Sequence, residues 1–134
     1  MNSSNTNEGG WGASRMRSTT VPSYLTLLPA ELQATNGIKA VNKVNNKGAN
    51  PTSDRLWPGS EYEILGVTSY SGTQEGVKYT RSSNIFTQNG SACTVWLRSA
   101  YAVDSYAFCM VDTSGSAYYG YADYSNGVAL GFCI

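Results

Sequence analysis

The sequence predicts an α+β domain with helices in its N-terminal half and an antiparallel β-meander in its C-terminal half. Pro29-Ala30-Glu31 has the form of a helix start, because proline fits the first helical turn and an acidic residue suits the helix N-terminus. After Gly90, short apolar runs alternate with turn residues, which is typical of neighbouring antiparallel strands. Helical and strand patterns are thus segregated along the chain, as they are in α+β domains.

The composition indicates one domain that lacks the charge needed for several classes of partner. The 134 residues include nine Lys or Arg and nine Asp or Glu, and the charged fraction of 13% is low. With no net charge and no basic run, we expect neither nucleic acid nor an anionic lipid surface as a partner. No apolar run approaches the ~20 residues of a membrane-spanning helix, and no secretory signal follows Met1, so we expect no membrane insertion.

The chain contains no histidine, the commonest general base and transition-metal ligand. A conventional hydrolytic triad is therefore excluded. A calcium site needs about six to eight oxygen ligands, whereas Glu61 and Glu63 merely flank Tyr62 and the three late aspartates lie in separate loops. We interpret these carboxylates as solvated or turn-capping, and expect a non-enzyme with no cofactor and no bound metal.

The first ten residues are polar and end in two glycines, so they are predicted to be a flexible lead-in, with the domain proper over residues 11–134. The helix that begins near Pro29 is expected to continue to about residue 44, with an interruption at Asn36-Gly37 that can split it in two. Its apolar positions are Leu32, Ile38, Val41 and Val44. Lysines spaced four apart are assigned to its outer face: Lys39, Lys43 and Lys47.

A short helix is predicted over residues 60–65, followed by a Gly/Ser/Thr/Asn-rich segment over residues 66–91. That segment holds too many large apolar groups for a plain linker, so we expect an irregular loop packed against the body. These groups are Tyr70, Val77, Tyr79, Ile85 and Phe86.

Four strands are predicted after Gly90, over residues 94–97, 106–111, 117–124 and 128–134. Asp112-Thr113-Ser114-Gly115 fits a hairpin loop between the second and third strands. Asn126-Gly127 is the strongest short hairpin signal in the chain and predicts a second hairpin before the last strand.

Several large or reactive side chains are assigned to the interior. Trp11, Trp57 and Trp96 are interpreted as core or seam residues, and Arg98, in an apolar strand, as an internal hydrogen-bonding strut. For the cysteines three alternatives remain open: small buried core residues, one disulfide plus a free thiol, or a catalytic group. These cysteines are Cys93, Cys109 and Cys133, whose spacing matches no zinc motif.

Six of the ten tyrosines fall between residues 101 and 124, and no Lys, Arg or Glu follows Arg98. A segment of Tyr, Ser, Asp, Gly, Asn and Ala has the composition of an antibody-like binding surface. Ordinary strand packing accounts for two or three of these rings. Tyr118-Tyr119-x-Tyr121 places rings on both faces of any strand, so some must face solvent. We therefore predict a binding surface here.

Several motifs together carry a family resemblance: residues 27–33 (LLPAELQ), 38–43 (IKAVNK), 52–57 (TSDRLW), 60–61 (SE), 96–99 (WLRS) and 127–134 (GVALGFCI). With these motifs, residues 11–134 resemble the DUF6273-type domain of gut Firmicutes and their phages. That domain is similar to the C-type-lectin-like fold used by the variable proteins of diversity-generating retroelements. The resemblance implies a C-type-lectin-like fold for this chain.

It also implies that a reverse transcriptase rewrites adenine-containing codons in a variable segment at about residues 99–127. The ligand-binding candidates carried over by position are Tyr101, Val103, Asp104, Ser105, Tyr106, Asp112, Ser116, Tyr118, Tyr119, Tyr121, Asp123, Tyr124 and Asn126, with Met110 as the weakest addition. The constant frame between them is Ala102, Ala107, Phe108, Val111, Gly115, Ala117 and Ala122.

The function expected from the resemblance is non-catalytic binding of a protein or glycan on a target cell or phage, at a cell surface or on a virion. The alternative is a fixed carbohydrate-binding or structural surface module. The resemblance also extends to formylglycine-generating enzymes, which use a pair of cysteines. The corresponding pair here would be Cys109 and Cys133, as neighbours on adjacent strands. Nothing basic flanks them to lower a thiol pKa, so catalysis is not expected.

Overall fold

In this computed structural model, which describes residues 1–134, a four-stranded sheet from the C-terminal half organises the chain. The helices are short: α1 (Gly10–Ala13), a π-helical turn (Met16–Thr20), α2 (Val21–Leu25), α3 (Ala30–Gln33) and α4 (Glu61–Leu65). The strands are β1 (Val41–Lys43), β2 (Thr52–Asp54), β3 (Trp57–Pro58), β4 (Phe86–Gln88), β5 (Ser91–Cys93), β6 (Val95–Ala100), β7 (Ala107–Val111), β8 (Ala117–Tyr121), β9 (Gly127–Val128) and β10 (Leu130–Gly131). None of the helices is long and apolar enough to cross a bilayer.

The central sheet has the strand order β8-β7-β6-β9. Strands β6, β7 and β8 are antiparallel neighbours, and β9 runs parallel to β6 on the opposite edge. Three two-stranded antiparallel ladders surround it: β1 with β2, β3 with β10, and β4 with β5. The predicted α+β class is confirmed.

A hydrophobic cluster lies on each face of the sheet, because side chains alternate along its strands. Trp96 of β6 and Phe108 of β7 belong to the larger cluster, together with Trp11 and Trp57 from the N-terminal half. Leu97 of β6 and Val111 of β7 belong to the smaller one, beside α4. The sheet is therefore buried on both faces at its centre.

Three local predictions are confirmed. Helix α3 begins at Ala30 directly after Pro29, and α4 occupies residues 61–65. The loop between β7 and β8 is the predicted hairpin: Asp112 accepts the Gly115 N–H through its carbonyl, and Gly115 adopts a φ of +83°. That left-handed backbone favours glycine.

The helix predicted to reach residue 44 is wrong beyond Gln33. Gly37 makes a tight reversal in which an added Cβ would lie 2.3 Å from the Glu31 carbonyl oxygen. The chain then leaves as β1, where Val41 pairs with Asp54 of β2. A β-branched residue on a half-buried strand satisfies the same apolar pattern that was assigned to a helix face.

The predicted outer face of lysines is wrong for the same reason. Lys43 is buried on β1 and donates to Glu63 Oε1 at 2.6 Å, with its ammonium 4.6 Å from the centre of the Trp57 ring. Lys47 donates to Asn7 Oδ1 at 2.6 Å. Only Lys39 is exposed as predicted.

The first ten residues pack onto the domain, contrary to the predicted flexible lead-in. Met1 belongs to the larger hydrophobic cluster. Asn7 has no exposed surface, and its amide nitrogen donates to the backbone carbonyls of Tyr101, Asp104 and Ala107. These hydrogen bonds hold residues 1–10 against the domain, because releasing Asn7 would leave buried carbonyl groups without a donor.

The predicted antiparallel meander is wrong for its fourth strand, residues 128–134. Gly127–Val128 pairs in parallel with Val95 and Trp96, across the sheet from β8, so Asn126-Gly127 does not close a hairpin. The remaining predicted strand is split into β10, which pairs with β3, and a bridge between Cys133 and Lys39. Strand β6 is thus paired on both edges, with β7 on one side and β9 on the other.

The segment over residues 66–91 is largely irregular and packs against the body through Tyr70, Tyr79 and Phe86, as expected. It also contains the unpredicted strand β4 and leads directly into β5. Val77 is 78% exposed and takes no part in the packing.

The interior assignments of the tryptophans and Arg98 are confirmed, since all four are nearly or fully buried. The three cysteines are free. Cys109 lies in the smaller cluster, but Cys133 is exposed and bridges Lys39, so the two are not on adjacent strands. The disulfide alternative is not realised.

Candidate binding surface

Strand β8 carries three tyrosines along the free edge of the central sheet. Its partner on one side is β7, and no strand pairs with its other side. Tyr118 and Tyr121 remain 48% and 42% exposed, respectively, while Tyr119 is half-buried. Although consecutive strand residues start on opposite faces, the Tyr118 and Tyr119 rings stack with centroids 5.2 Å apart. The two rings therefore cover the edge together.

A first aromatic cluster forms around Tyr119. The Tyr101 ring stacks on it at 4.4 Å, and the Tyr70 ring lies 5.2 Å away at a tilt. Tyr70 also makes an edge contact with Tyr101 at 5.6 Å. Such offset and edge-to-face pairs stabilise aromatic groups beyond simple burial.

A second aromatic cluster lies at the end of β8 where β7 begins. Tyr106 and Tyr121 face each other at 5.3 Å, and Tyr124 makes an edge contact with Tyr121 at 5.2 Å. Their exposed fractions are 41%, 42% and 55% in sequence order. These rings present large apolar area to solvent, which is typical of an interaction surface.

A shallow cavity of about 240 Å³ joins the two clusters. Its lining consists of Met110, Tyr118, Tyr119, Gly120, Tyr121 and Tyr124. An added Cβ at Gly120 would lie 3.2 Å from both Met110 Sδ and the Trp96 ring, so glycine lets the floor of the cavity pack closely on the core. We call these seven tyrosines and the cavity the tyrosine surface: Tyr70, Tyr101, Tyr106, Tyr118, Tyr119, Tyr121 and Tyr124.

The hydroxyls of the tyrosine surface are available to a ligand. None of the seven makes a hydrogen bond within the protein, whereas the Tyr79 hydroxyl accepts from Trp57 Nε1 at 3.2 Å. The Asp104 carboxylate raises the pKa of Tyr106, and desolvation followed by the neighbouring Tyr119 raises the pKa of Tyr101. These phenols therefore remain protonated at neutral pH and can both donate and accept.

None of the thirteen predicted binding residues is buried. Those most open to solvent include Val103 at 78% and Tyr124 at 55% exposed. Four of the predicted frame residues, by contrast, have no exposed surface: Ala107, Phe108, Val111 and Ala122. Among the other frame residues, Ala102 is exposed and Gly115 and Ala117 are half-buried.

The structure does not bring all thirteen together. Asp112 and Ser116 lie in the β7–β8 hairpin loop, whereas Val103 to Tyr106 and Tyr121 to Tyr124 lie at the opposite end of those strands. Asp104 and Asp112 also have structural partners. Asp104 Oδ1 accepts the N–H groups of Tyr106 and Ala107, each at 3.0 Å. Asp112 Oδ1 likewise accepts the Ser116 N–H at 3.0 Å, so of the two predicted roles, solvated or turn-capping, both aspartates have the second.

Three members of the site were not among the thirteen: Tyr70, Met110 and Gly120. Tyr70 was assigned to a packed loop, and only its place in the fold shows that it reaches the tyrosine surface. Met110 lines the cavity opposite Tyr118, its cross-strand partner. An aromatic residue in a Gly/Ser-rich loop is the signal that points to Tyr70, although it does not say where the loop docks.

Comparison with known proteins places the chain in one family. A family profile described as a domain of unknown function, DUF6273, matches residues 1–134. The chain belongs to the DUF6273 family. No curated protein and no solved structure matches it.

Behind its tyrosine surface, this DUF6273 domain has a buried network of charges that the sequence did not reveal. Glu63 has an exposed fraction of 2% and pairs with both Lys43 and the fully buried Arg98. Burial alone would raise the pKa of Glu63, but the Arg98 hydrogen bond and charge, together with Lys43, lower it below its ordinary value. Glu63 is therefore ionised at neutral pH, and the interpretation of this residue as solvated is wrong.

Glu63 also closes a capping box at the start of α4 in the DUF6273 domain. The Ser60 hydroxyl accepts the Glu63 N–H at 3.0 Å, and Glu63 Oε2 accepts the Ser60 N–H at 3.0 Å. The spacing Ser-x-x-Glu is a readable signal for this motif. Burial of the carboxylate follows from its second role as the partner of Arg98.

Glu61 and Glu75 hold the loop that carries Tyr70. Glu61, also fully buried, accepts the N–H groups of Tyr70 and Ser71, the latter at 2.7 Å. Glu75 accepts the Asn46 N–H at 3.0 Å and pairs with the Ser99 hydroxyl of β6. The Tyr70 ring is thus positioned from inside the domain.

Arg98 links these segments of the DUF6273 domain. Besides Glu63, its guanidinium donates to the carbonyls of Val44 at 3.0 Å and Glu75 at 2.8 Å. An Arg fork can satisfy several acceptors at fixed angles. The side chain therefore ties β6 to the β1 segment and to the loop.

No group of three or more His, Cys, Asp or Glu side chains in the DUF6273 domain is arranged to hold a metal ion. Burial raises the pKa of Cys109 well above its ordinary value, and the nearby carboxylates of Glu61 and Glu75 raise it further. This thiol is protonated and a poor nucleophile at neutral pH.

Proposed function

We propose that this DUF6273 domain is a non-catalytic binding protein with a C-type-lectin-like fold, whose tyrosine surface is diversified by retroelement mutagenesis. Its ligand is a protein or glycan on a target cell or phage, met at a cell surface or on a virion. The four-stranded C-terminal sheet beside short N-terminal helices supports the lectin-like part of the proposal.

The separation of exposed candidates from a buried frame is the observation that carries the proposal. None of the thirteen candidate positions is buried, while four frame residues between them are fully buried. Replacements at exposed positions cost little stability, whereas replacements in a packed core cost several kcal/mol, about 3–5 for a buried Phe. A segment whose variable positions are outside the core and whose constant positions are inside it can change its surface residues and keep its fold.

The chemistry of the tyrosine surface supports binding of polar macromolecules. Seven tyrosines offer ring faces and unpaired hydroxyls, and each ring loses only two torsions on binding. The buried contacts of Glu61 and Arg98 hold the scaffold in place, so little entropy is lost on association. Residues 99–134 supply three aspartates and no basic side chain, which favours a neutral or basic partner.

A non-catalytic role is supported by the lack of a suitable nucleophile. The chain has no histidine to serve as a base, and the Cys109 thiol is buried with a raised pKa. The exposed Cys133 lies apart from it, beside Lys39.

The experiment is deep sequencing of the 3′ end of the gene across its source population, with a search for a nearby repeat that differs at adenines. We expect variation at exposed positions such as Tyr118, Tyr121 and Tyr124, with Phe108 and Val111 constant. The adenine-differing repeat decides the result, because selection for a stable core would by itself keep Phe108 and Val111 constant. A uniform sequence without such a repeat would contradict diversification and favour a fixed carbohydrate-binding or structural module.

A further inference from the structure

A second cavity, of about 570 Å³, lies away from the two aromatic clusters, between the β4–β5 hairpin, α2 and the segment around β9. Its lining is Tyr24, Phe86, Thr87, Gln88, Cys93, Val95, Ser125, Asn126, Gly127, Val128 and Ala129. The volume falls within the range of small-molecule sites. Only Asn126 is also among the predicted binding residues of the C-terminal segment.

The lining of this cavity is polar but uncharged. It contains no Asp, Glu, Lys or Arg, and its polar side chains are two amides and two hydroxyls besides the Tyr24 phenol. The side chains of Thr87, Gln88 and Ser125 make no hydrogen bond within the protein, while Asn126 makes only a weak contact of 3.7 Å to Met110 Sδ. An amide and a hydroxyl each donate and accept, which matches a ligand that does the same.

Aromatic rings form two of the walls. Tyr24 is 41% exposed and offers an open ring, whereas one face of Phe86 is covered by the Arg81 guanidinium 4.3 Å from its centre. A ring beside amide and hydroxyl groups suits a ligand with apolar C–H faces and a rim of hydroxyls. A phosphate or carboxylate ligand would instead require a paired cation, which the lining does not provide.

The cavity also has room for more than one unit of such a ligand. It shares Tyr24, Ser125, Asn126 and Val128 with an adjoining cavity of about 490 Å³. That neighbour reaches Tyr124 at the border of the tyrosine surface. A short chain of linked units can therefore lie across both cavities.

We propose that this cavity binds a neutral oligosaccharide, with Tyr24 as the stacking ring and Gln88, Asn126, Thr87 and Ser125 as hydrogen-bonding groups. Tyr24, Thr87 and Gln88 lie outside the variable segment, whereas Ser125 and Asn126 lie within it. The stacking ring and the β4 groups are therefore the part of this saccharide site that diversification would leave unchanged.

The test is an NMR titration of the ¹⁵N-labelled chain with neutral oligosaccharides of two to four units, built from glucose, galactose, mannose or N-acetylglucosamine. Sialylated and sulfated oligosaccharides and uncharged peptides are run in parallel. At least one neutral oligosaccharide should produce saturating shifts in the amide signals of Thr87, Gln88 and Gly127. The charged oligosaccharides should bind more weakly.

Matched variants locate the site. Tyr24→Ala should weaken binding about tenfold, and Gln88→Ala should weaken it about two- to tenfold, which corresponds to one lost stacking ring and one lost hydrogen bond. Val77→Ala, at an exposed residue outside both this cavity and the tyrosine surface, should leave the affinity unchanged. Gln88 is exposed on a short hairpin, so its variant should stay folded even if Tyr24→Ala does not.

Three results would overturn the proposal. In the first, no neutral oligosaccharide shifts these signals at about 10 mM, a concentration that detects millimolar affinity. In the second, only peptides shift them, and in the third, the shifts fall on residues 118–124 instead. The last result would overturn the second site and still leave the tyrosine surface as a binding site.

Discussion

Glu75 is a carboxylic acid with no exposed surface, and its ionisation state affects the stability of the whole chain. Burial raises its pKa from the ordinary 4.5 to about 7, although the Ser99 hydrogen bond, the Arg98 charge and the Asn46 N–H act in the opposite direction. Glu63, a few ångströms from the same guanidinium, is shifted the other way because it pairs with that cation directly. Two buried glutamates of one network thus titrate in different pH ranges.

Stability should therefore fall as the pH rises from about 4.5 to 7. Between those values the folded chain keeps a proton on Glu75 that the unfolded chain has lost, so unfolding becomes easier with increasing pH. At about 1.4 kcal/mol per pKa unit, the Glu75 contribution to this loss is at most about 3.5 kcal/mol. Urea unfolding at pH 4.5, 6 and 7.5 measures it.

Glu75→Gln should flatten this dependence, because the amide stays neutral at every pH. Glu31→Gln is the matched control, since Glu31 is exposed on α3 and should leave the slope as in the wild type. If the two variants show the same slope as the wild type, Glu75 is not the titrating group. The Glu63 contribution lies below this window, as it is lost only when the pH falls below the ordinary range of a glutamate.

The role of a single residue was predictable where its charge was out of keeping with the apolar residues beside it in the sequence. Arg98 lies between apolar and small residues in a strand, and a charge there must find internal partners, so its role as a strut followed from the sequence. Glu61 and Glu63 lie in a polar stretch beside Tyr62, and nothing local requires their burial. Their partners come from distant segments such as β1 and β6, which only the tertiary fold brings near.

At the scale of single elements, the β7–β8 hairpin depends on Asp112. Its Oδ1 accepts the N–H groups of Ser114 at 2.8 Å and Ser116 at 3.0 Å, and the Ser114 hydroxyl at 2.6 Å. The Ser114 hydroxyl contributes most to lowering the pKa of Asp112, and the Ser116 N–H adds to it. Asp112 is also a predicted binding position, but these contacts point to a mainly structural role.

Asp112→Ala should destabilise the chain by about 1–2 kcal/mol, because the loop N–H groups lose their acceptor. Asp112→Asn should recover most of that loss, since the amide keeps one acceptor oxygen. Thr113→Ala, at an exposed neighbour without a hydrogen-bonded side chain, should be near neutral. Chemical denaturation ranks the three variants, and an Asp112→Ala variant as stable as Thr113→Ala would refute the structural role.

Elements were predictable where local chemistry decides them and were missed where pairing decides them. Pro29 before α3 and the Asp112–Gly115 loop are local signals, and both predictions hold. The segment from Ile38 to Val44 fits a helix or a strand equally well by pattern, and pairing with β2 selects the strand. Asn126-Gly127 is a strong hairpin signal, yet β9 gains its partner from β6 on the far edge.

At the scale of the whole molecule, the central sheet carries fully buried frame residues next to the exposed and half-buried rings of the tyrosine surface. The tyrosine surface was largely predictable because its residues cluster in sequence and in composition. Tyr70 was not, since its loop is held beside the surface by contacts with distant segments: Glu61 accepts the N–H groups of Tyr70 and Ser71, and Asn46 donates to the Ser71 carbonyl. The N-terminal segment was mispredicted because its polar composition suggests mobility, whereas the three carbonyl groups that pair with Asn7 belong to residues far away in sequence.

Two libraries that use the same mixture of amino acids at different positions should therefore differ sharply in the fraction of members that fold. The first replaces Tyr106, Tyr118, Tyr121 and Tyr124 with mixtures of Tyr, Asp, Ser, Asn and Gly; the second places the same mixtures at Ala107, Phe108, Val111 and Ala122. Polar groups in a fully buried frame cost several kcal/mol each, comparable to a total stability of about 5–15 kcal/mol, whereas exposed positions lose mainly ring contacts. Protease resistance of displayed chains, read by sequencing, should retain most members of the first library and few of the second. Equal losses from both would show that the tyrosines hold the fold together, and the case for a surface free to vary would fail.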